Sequence, residues 1–161
     1  MTQRDENAFE TARRFGLRPP LVALLSWLIA FGAERLWPVP GPVTPTIGLI
    51  AAAILWTAAG GLGVSALTLF HRRHTTHDPF GEPSALATTG SYRVSRNPMY
   101  LGVALILLGA ALVRGTFAVF AAPLLFIAVA NALFIPSEER LLEELFGEEY
   151  RSYMRRVRRW L

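Results

Sequence analysis

Long uncharged apolar runs, separated by short polar breaks, dominate the pattern along this chain. Pro20 to about Trp37 is apolar except for Glu34 and Arg35, one helical turn before its end, and Trp37 suits a membrane–water interface. Ile47 to Phe70 holds 24 residues without a charge, enough to cross a bilayer as a helix. Met99 to Val113 has 15 residues. At 1.5 Å per residue it covers roughly 22 Å, which is short for a crossing unless it borrows Asn97 and Pro98. Thr116 to Ile135 has 20 residues, with Pro123 and Asn131 inside it. Neighbouring helices can satisfy the backbone groups such residues free. The pattern predicts an all-α integral membrane protein with about four transmembrane helices near 20–37, 47–70, 97–113 and 116–135. One domain, 1–161, holds them all.

The connections differ in character. Pro38 to Thr46 is a proline-rich turn without charge, and Arg114-Gly115 is a tight hairpin. His71 to Ser95 is a long polar loop, and 136–161 is a charged tail. Pro136 and Ser137 can open a helix there, with Glu138 and Glu139 at its positive end. Leu141, Leu142, Leu145, Tyr150, Tyr153, Val157 and Trp160 form an interrupted apolar stripe, and Gly147 is expected to split the helix. Its second piece, Arg151 to Trp160, reads as an amphipathic helix on an anionic leaflet.

Composition agrees with a membrane class. The hydrophobic fraction is 52% against 17% charged. The net charge of +4 comes from arginines at the ends of apolar runs, a membrane rather than a nucleic-acid arrangement. Every basic residue is arginine, and all but Arg35 and Arg114 fall in the N-terminal segment, the loop up to Arg96, or the tail. Four spans put those three segments on one side, so both termini are expected in the cytoplasm, with a bacterial inner membrane as the location. The first twenty residues lack the pattern of a cleavable leader. There is no cysteine, which excludes disulfides, thiolate metal sites and cysteine catalysis.

Candidate chemistry sits at the polar breaks. Arg96-Asn97-Pro98-Met99-Tyr100 contains a good cap and a proline pre-set for a first helical turn, so a plain helix opening is one reading. Yet Tyr92, Arg93, Arg96, Asn97 and Tyr100 crowd nine residues with hydrogen-bonding groups, and a helix start needs one. Glu138 and Glu139 can be a solvated pair at a helix start. If the last two spans form a hairpin, they instead meet Arg96 to Tyr100, because acids near a bilayer are costly without partners. His71, His74 and His77, with Asp78, could in principle hold a metal, but interfacial neutral histidines are commoner and no metal site is assigned. Gly61-Leu62-Gly63-Val64-Ser65-Ala66 matches a dinucleotide-binding pattern without its strand or its acid, so its small residues are expected to serve helix packing.

The run Gly90 to Gly102 resembles the G-x-Y-x-x-x-R-[H/N]-P-x-Y-x-G signature of the isoprenylcysteine carboxyl methyltransferase family. Phe146-Gly147-Glu148-Glu149-Tyr150-Arg151-Ser152-Tyr153, then Arg155-Arg156-Val157, is similar to that family's tail, and Glu138-Glu139 falls where the family has its acidic pair. Asn97 stands where the best-known members have histidine. Asn-Pro-Met-Tyr-x-Gly also occurs in the related phospholipid N-methyltransferases. The resemblance implies S-adenosylmethionine bound between the last two spans and the tail, reached from the cytosol, with a lipophilic acceptor from the bilayer. Tyr92, Asn97, Pro98, Tyr100, Leu101, Gly102, Glu138 and Glu139 would bind the cofactor. A glutamate would take its ammonium, and Leu101 or Met99 would support its adenine. Arg96 and Arg156 would orient an isoprenylcysteine-like carboxylate or thiol. A phospholipid amine is the alternative acceptor, for which a glutamate would act as base. A non-catalytic membrane scaffold is the rival of another class, and a sterol-reductase-like role is a weaker one.

Overall fold

The computed structural model describes residues 18–72 and 86–161. Its helices are α1 (Pro19–Leu36), α2 (Pro45–Arg72), α3 (Pro98–Arg114), α4 (Ala121–Val129) and α5 (Ile135–Arg156). A short 3₁₀ turn, Gly90–Arg93, precedes α3, and another, Ala118–Phe120, precedes α4. Among the described residues there is no strand; a single bridge joins Pro40 and Thr116. Three helical stretches are long and apolar enough to cross a membrane, and α3 is a shorter apolar fourth. Leu24, Leu28, Ile29, Ile50, Ile54, Val64, Ile106 and Leu124 point outward and are exposed. Such a belt is stable only against hydrocarbon, so the chain is an all-α membrane protein.

α3 is the central helix, and its longest partner is α2. Ala52, Ala59 and Ala66 recur every seventh residue on α2 and are buried against α3. Small residues on α3 answer them. A Cβ on Gly102 would sit 3.6 Å from the carbonyl oxygen of Ala59, and one on Gly109 would collide with the Trp56 indole. That indole donates to the Ile106 carbonyl at 3.1 Å. The run expected to pack, Gly61 to Ala66, gives Ala66 to this seam and Ser65 to the turn ahead of α3, whereas nothing lies within 4 Å of a Cβ built on Gly61 or Gly63.

At the end distant from the tail, the two hairpin connections are tied together. Gly41 N–H donates to the Gly115 carbonyl at 2.7 Å, and Phe117 N–H to the Val39 carbonyl at 3.1 Å. Buried Glu34 accepts two forked bonds from Arg114, at 2.9 and 3.2 Å, and one from Thr116 at 3.1 Å. The pairing explains how α1 tolerates an acid inside an apolar run.

Two expectations for the tail are corrected. Pro136 does not open a separate helix: the helical path continues from Ala118 through Pro136 as far as Gly147. Ala130–Phe134 forms a π-helical turn just before Pro136. Widening the ladder there accommodates the proline's missing N–H and its ring, which would clash in a regular α-helix. The kink comes later, at Gly147, whose backbone (φ 51°, ψ −122°) is non-helical. Nor does the amphipathic helix reach Trp160. It ends at Arg156, Val157 is extended, and residues 157–161 fold back as a strap over the start of α3. Hydrogen bonds to the turn outcompete further helix there.

Candidate functional site

The polar turn ahead of α3 is seated first by glycine. Gly90 has φ 61°, and a Cβ there would lie 2.7 Å from Ser65 Oγ of α2. That hydroxyl accepts the Ser91 N–H at 2.9 Å. The turn then meets the strap. Ser95 Oγ donates to the Arg159 carbonyl at 3.1 Å and accepts the Asn97 N–H at 3.1 Å. Arg96 N–H donates to the Arg158 carbonyl at 3.0 Å, and the Asn97 side-chain amide donates to the Arg159 carbonyl at 3.2 Å. Asn97 thus stands at the N-cap position of α3 without capping it through its side chain. The plain helix-opening reading does not account for where its amide goes.

One step into α3, the Tyr100 hydroxyl donates to Glu138 Oε1 at 2.6 Å. Its ring stacks near Phe134 (6.3 Å, 13°) and beside Phe126. Glu139 faces two guanidinium groups: Arg96 Nη2 at 3.3 Å and Arg159 Nη2 at 2.5 Å, with Arg159 Nε at 3.2 Å. Arg96 and Glu139 side chains are each only 13% exposed. Arg96 Nε is buried without a hydrogen-bond partner among the described residues. A buried donor left open is costly, so it marks a place for an acceptor.

Arg96, Tyr100 and both glutamates line a cavity of about 520 Å³, inside the roughly 300–1,000 Å³ range of small-molecule sites. Tyr92, Arg96, Asn97, Tyr100, Glu138 and Glu139 make its polar part, while Pro19, Leu86, Val103, Leu142 and Tyr150 are among the residues that make its walls apolar. Pro20 and Met99 line it and are also exposed, so the cavity reaches the surface between the starts of α1 and α3. Burial pushes the Tyr92 phenol up to about 12, helped by the Glu138 charge. Tyr150 also rises to about 12, chiefly through burial and next through Glu139. Both phenols are neutral near pH 7. Glu138 lies beyond the apolar run, and its carboxyl is raised above the ordinary 4.5 by burial; Glu139 adds to this, and the Tyr100 hydroxyl offsets part of it.

Of the residues singled out from sequence, Tyr92, Arg96, Asn97, Pro98, Tyr100, Glu138 and Glu139 converge on this cavity. Leu101 and Gly102 do not line it. Leu101 faces a second hollow toward α2, and Gly102 packs on Ala59. Of the two side chains expected beside the adenine, Met99 lines the cavity and Leu101 does not. Arg156 is exposed, and its Nε donates to the Ser152 carbonyl at 3.3 Å on its own helix. Arg159 instead reaches Glu139, because the helix stops and the strap turns inward. Sequence reasoning passed over Arg159, Ser95 and the Trp160–Asn131 pair; the only signal was the adjacent Arg158-Arg159, which does not say which arginine faces in. His74, His77 and Asp78 lie outside the described residues, as does the His71 side chain. Among the described residues no three His, Cys, Asp or Glu side chains are grouped to hold a metal.

The apolar helices thus carry, at one end, a charge-lined cavity of small-molecule size. Comparison with known proteins gives the family. The phospholipid methyltransferase family matches residues 46–149, from the start of α2 through the kink in α5. The chain belongs to that family, and with it to methyltransferases acting on lipid-like, membrane-borne acceptors. It is also similar to an uncharacterized protein of Haemophilus influenzae, 46% identical over 63 residues, which is 39% of this chain and the whole of that one. No solved structure matches.

Proposed function

We propose that this chain is, as one domain, an S-adenosylmethionine-dependent methyltransferase whose acceptor is an isoprenylcysteine-like carboxylate or thiol drawn from the bilayer. The observation that carries this reading is the cavity's pairing of a polar end of both charges with apolar walls. Arg96, Glu138 and Glu139 line that end, and Arg159 backs Glu139 from outside the lining. A polar end of both charges suits a ligand whose amino-acid part bears both charges. Glu138 is available for an ammonium, and the open Arg96 Nε for a carboxylate. The bound cofactor would supply an electrophilic methyl group on a sulfonium. The protein's part is to position the partners and keep water out, which suffices for an in-line displacement. Tyr100 holds Glu138 in place, and Asn97 with Ser95 keeps the turn closed.

The opening at Pro20 and Met99 supports lateral entry of an apolar acceptor. An anionic acceptor needs no base, and Arg96 can orient it. A phospholipid amine is the second reading. The family's own description favours it, and a carboxyl raised by burial is suited to take the ammonium proton before transfer. The arginine distribution supports a cytoplasmic cavity and cytoplasmic termini in a bacterial inner membrane.

Isothermal titration of the full chain in detergent with S-adenosylhomocysteine tests the cofactor. Binding is expected, and its absence in well-folded protein would favour the scaffold reading. Incubation with methyl-labelled cofactor and a lipid extract then identifies the acceptor. Label released by mild alkali marks a carboxyl ester, whereas alkali-stable label marks a thioether or an amine. Mass analysis of the labelled lipid separates those two.

A further inference from the structure

The last five residues, Val157–Leu161, have no regular structure, yet they are held in place. Ordering such a segment costs about 1–2 kcal/mol per residue in backbone entropy, so its contacts must be systematic. They are concentrated on the cavity. The carbonyl groups of Arg158 and Arg159 receive Arg96 N–H, Ser95 Oγ and the Asn97 amide. Trp160 packs against the hydrophobic core, and its indole N–H donates to Asn131 Oδ1 at 3.2 Å. Asn131 belongs to the π-helical turn, where the altered ladder re-aims side chains. The strap is therefore anchored on both sides of Arg159, whose guanidinium meets Glu139 with two nitrogens.

We propose that Arg159 is a positioning residue: the strap, keyed into the bundle by Trp160 on Asn131, delivers it to Glu139. Glu139 is thereby committed to Arg96 and Arg159, and Glu138 is the carboxylate left for a cationic ligand group. This rests on the methyltransferase reading. The two neighbouring glutamates then have unlike duties. Glu138, held by Tyr100, meets the ligand; Glu139 holds two arginines and so fixes where the open Arg96 Nε points. Without Arg159, Glu139 and Arg96 lose their shared geometry although both remain.

The test is titration with S-adenosylhomocysteine on the full chain, with circular dichroism and size-exclusion profiles checking each variant. Arg159→Gln should weaken binding roughly tenfold, the scale of one hydrogen bond to a charged group. Arg159→Lys should recover most of it. Trp160→Phe keeps the ring and removes the donor, so it should weaken binding several-fold with the fold intact. In a Glu139→Gln background both substitutions should have no further effect, because they act through that carboxylate. A strap that merely packs would give losses that add to that of Glu139→Gln and no rescue by lysine; either result overturns the proposal. Wild-type affinity in both Arg159→Gln and Trp160→Phe also overturns it and leaves the cofactor reading standing. No binding by the wild-type chain overturns both.

Discussion

At the scale of single residues, adjacent glutamates on one helix have opposite surroundings. Glu138 is buried against a tyrosine hydroxyl, whereas Glu139 is neutralised by two arginines. The raised carboxyl of Glu138 has a calculable consequence. A cationic ligand group needs it ionised, so affinity should climb as pH rises through its folded-state pKa, which lies above 4.5, and level off beyond. Glu138→Gln should flatten that rise and cost tenfold or more, from the roughly 1.5–3 kcal/mol of a hydrogen bond to a charged group. Titration at several pH values reads both. Without ligand the sign is opposite. The stability due to protonated Glu138 is complete below the unfolded value near 4.5 and is lost as pH rises through the folded one. Glu148→Gln should leave binding unchanged, since that carboxylate is exposed and, among the described residues, pairs with Arg155 and Arg151. That Arg96, Tyr100 and the glutamate pair would come together was legible from the hairpin expected between them. Which glutamate met the tyrosine was not, because a helix register of one residue decides it.

At the scale of elements, the long final helix needs two departures from α geometry. The π turn accommodates Pro136 without ending the helix, and Gly147 bends its last stretch away from the axis. Nothing lies within 4 Å of a Cβ built on Gly147, so sterics do not require glycine there. Its dihedral angles do. Gly147→Ala should cost of order 1–3 kcal/mol, read as a lowered midpoint in chemical denaturation, and should weaken ligand binding by displacing Tyr150 and the strap. The glycine break was legible in sequence because glycine interrupts an apolar stripe. The continuity across Pro136 was not, since proline reads as a helix start and only packing against α1 and α3 shows that the helix goes on.

At the scale of the whole molecule, both hairpin connections meet at one end and the cavity lies toward the other. The cytoplasmic orientation proposed for the cavity end rests on the arginine bias, and the absence of cysteine from the sequence makes it directly measurable. In right-side-out vesicles, a membrane-impermeant maleimide should label Thr44→Cys at once and Glu148→Cys only after permeabilisation. The reverse pattern would overturn the orientation.

The chain by itself determined the apolar helices and the family signature, because burial in hydrocarbon demands long uncharged runs whatever their neighbours. Tertiary structure alone decided which tail arginine pairs with Glu139, where the last helix ends and which small residues form the seam. Those outcomes turn on single hydrogen bonds and on one-residue rotations, and no local pattern records them.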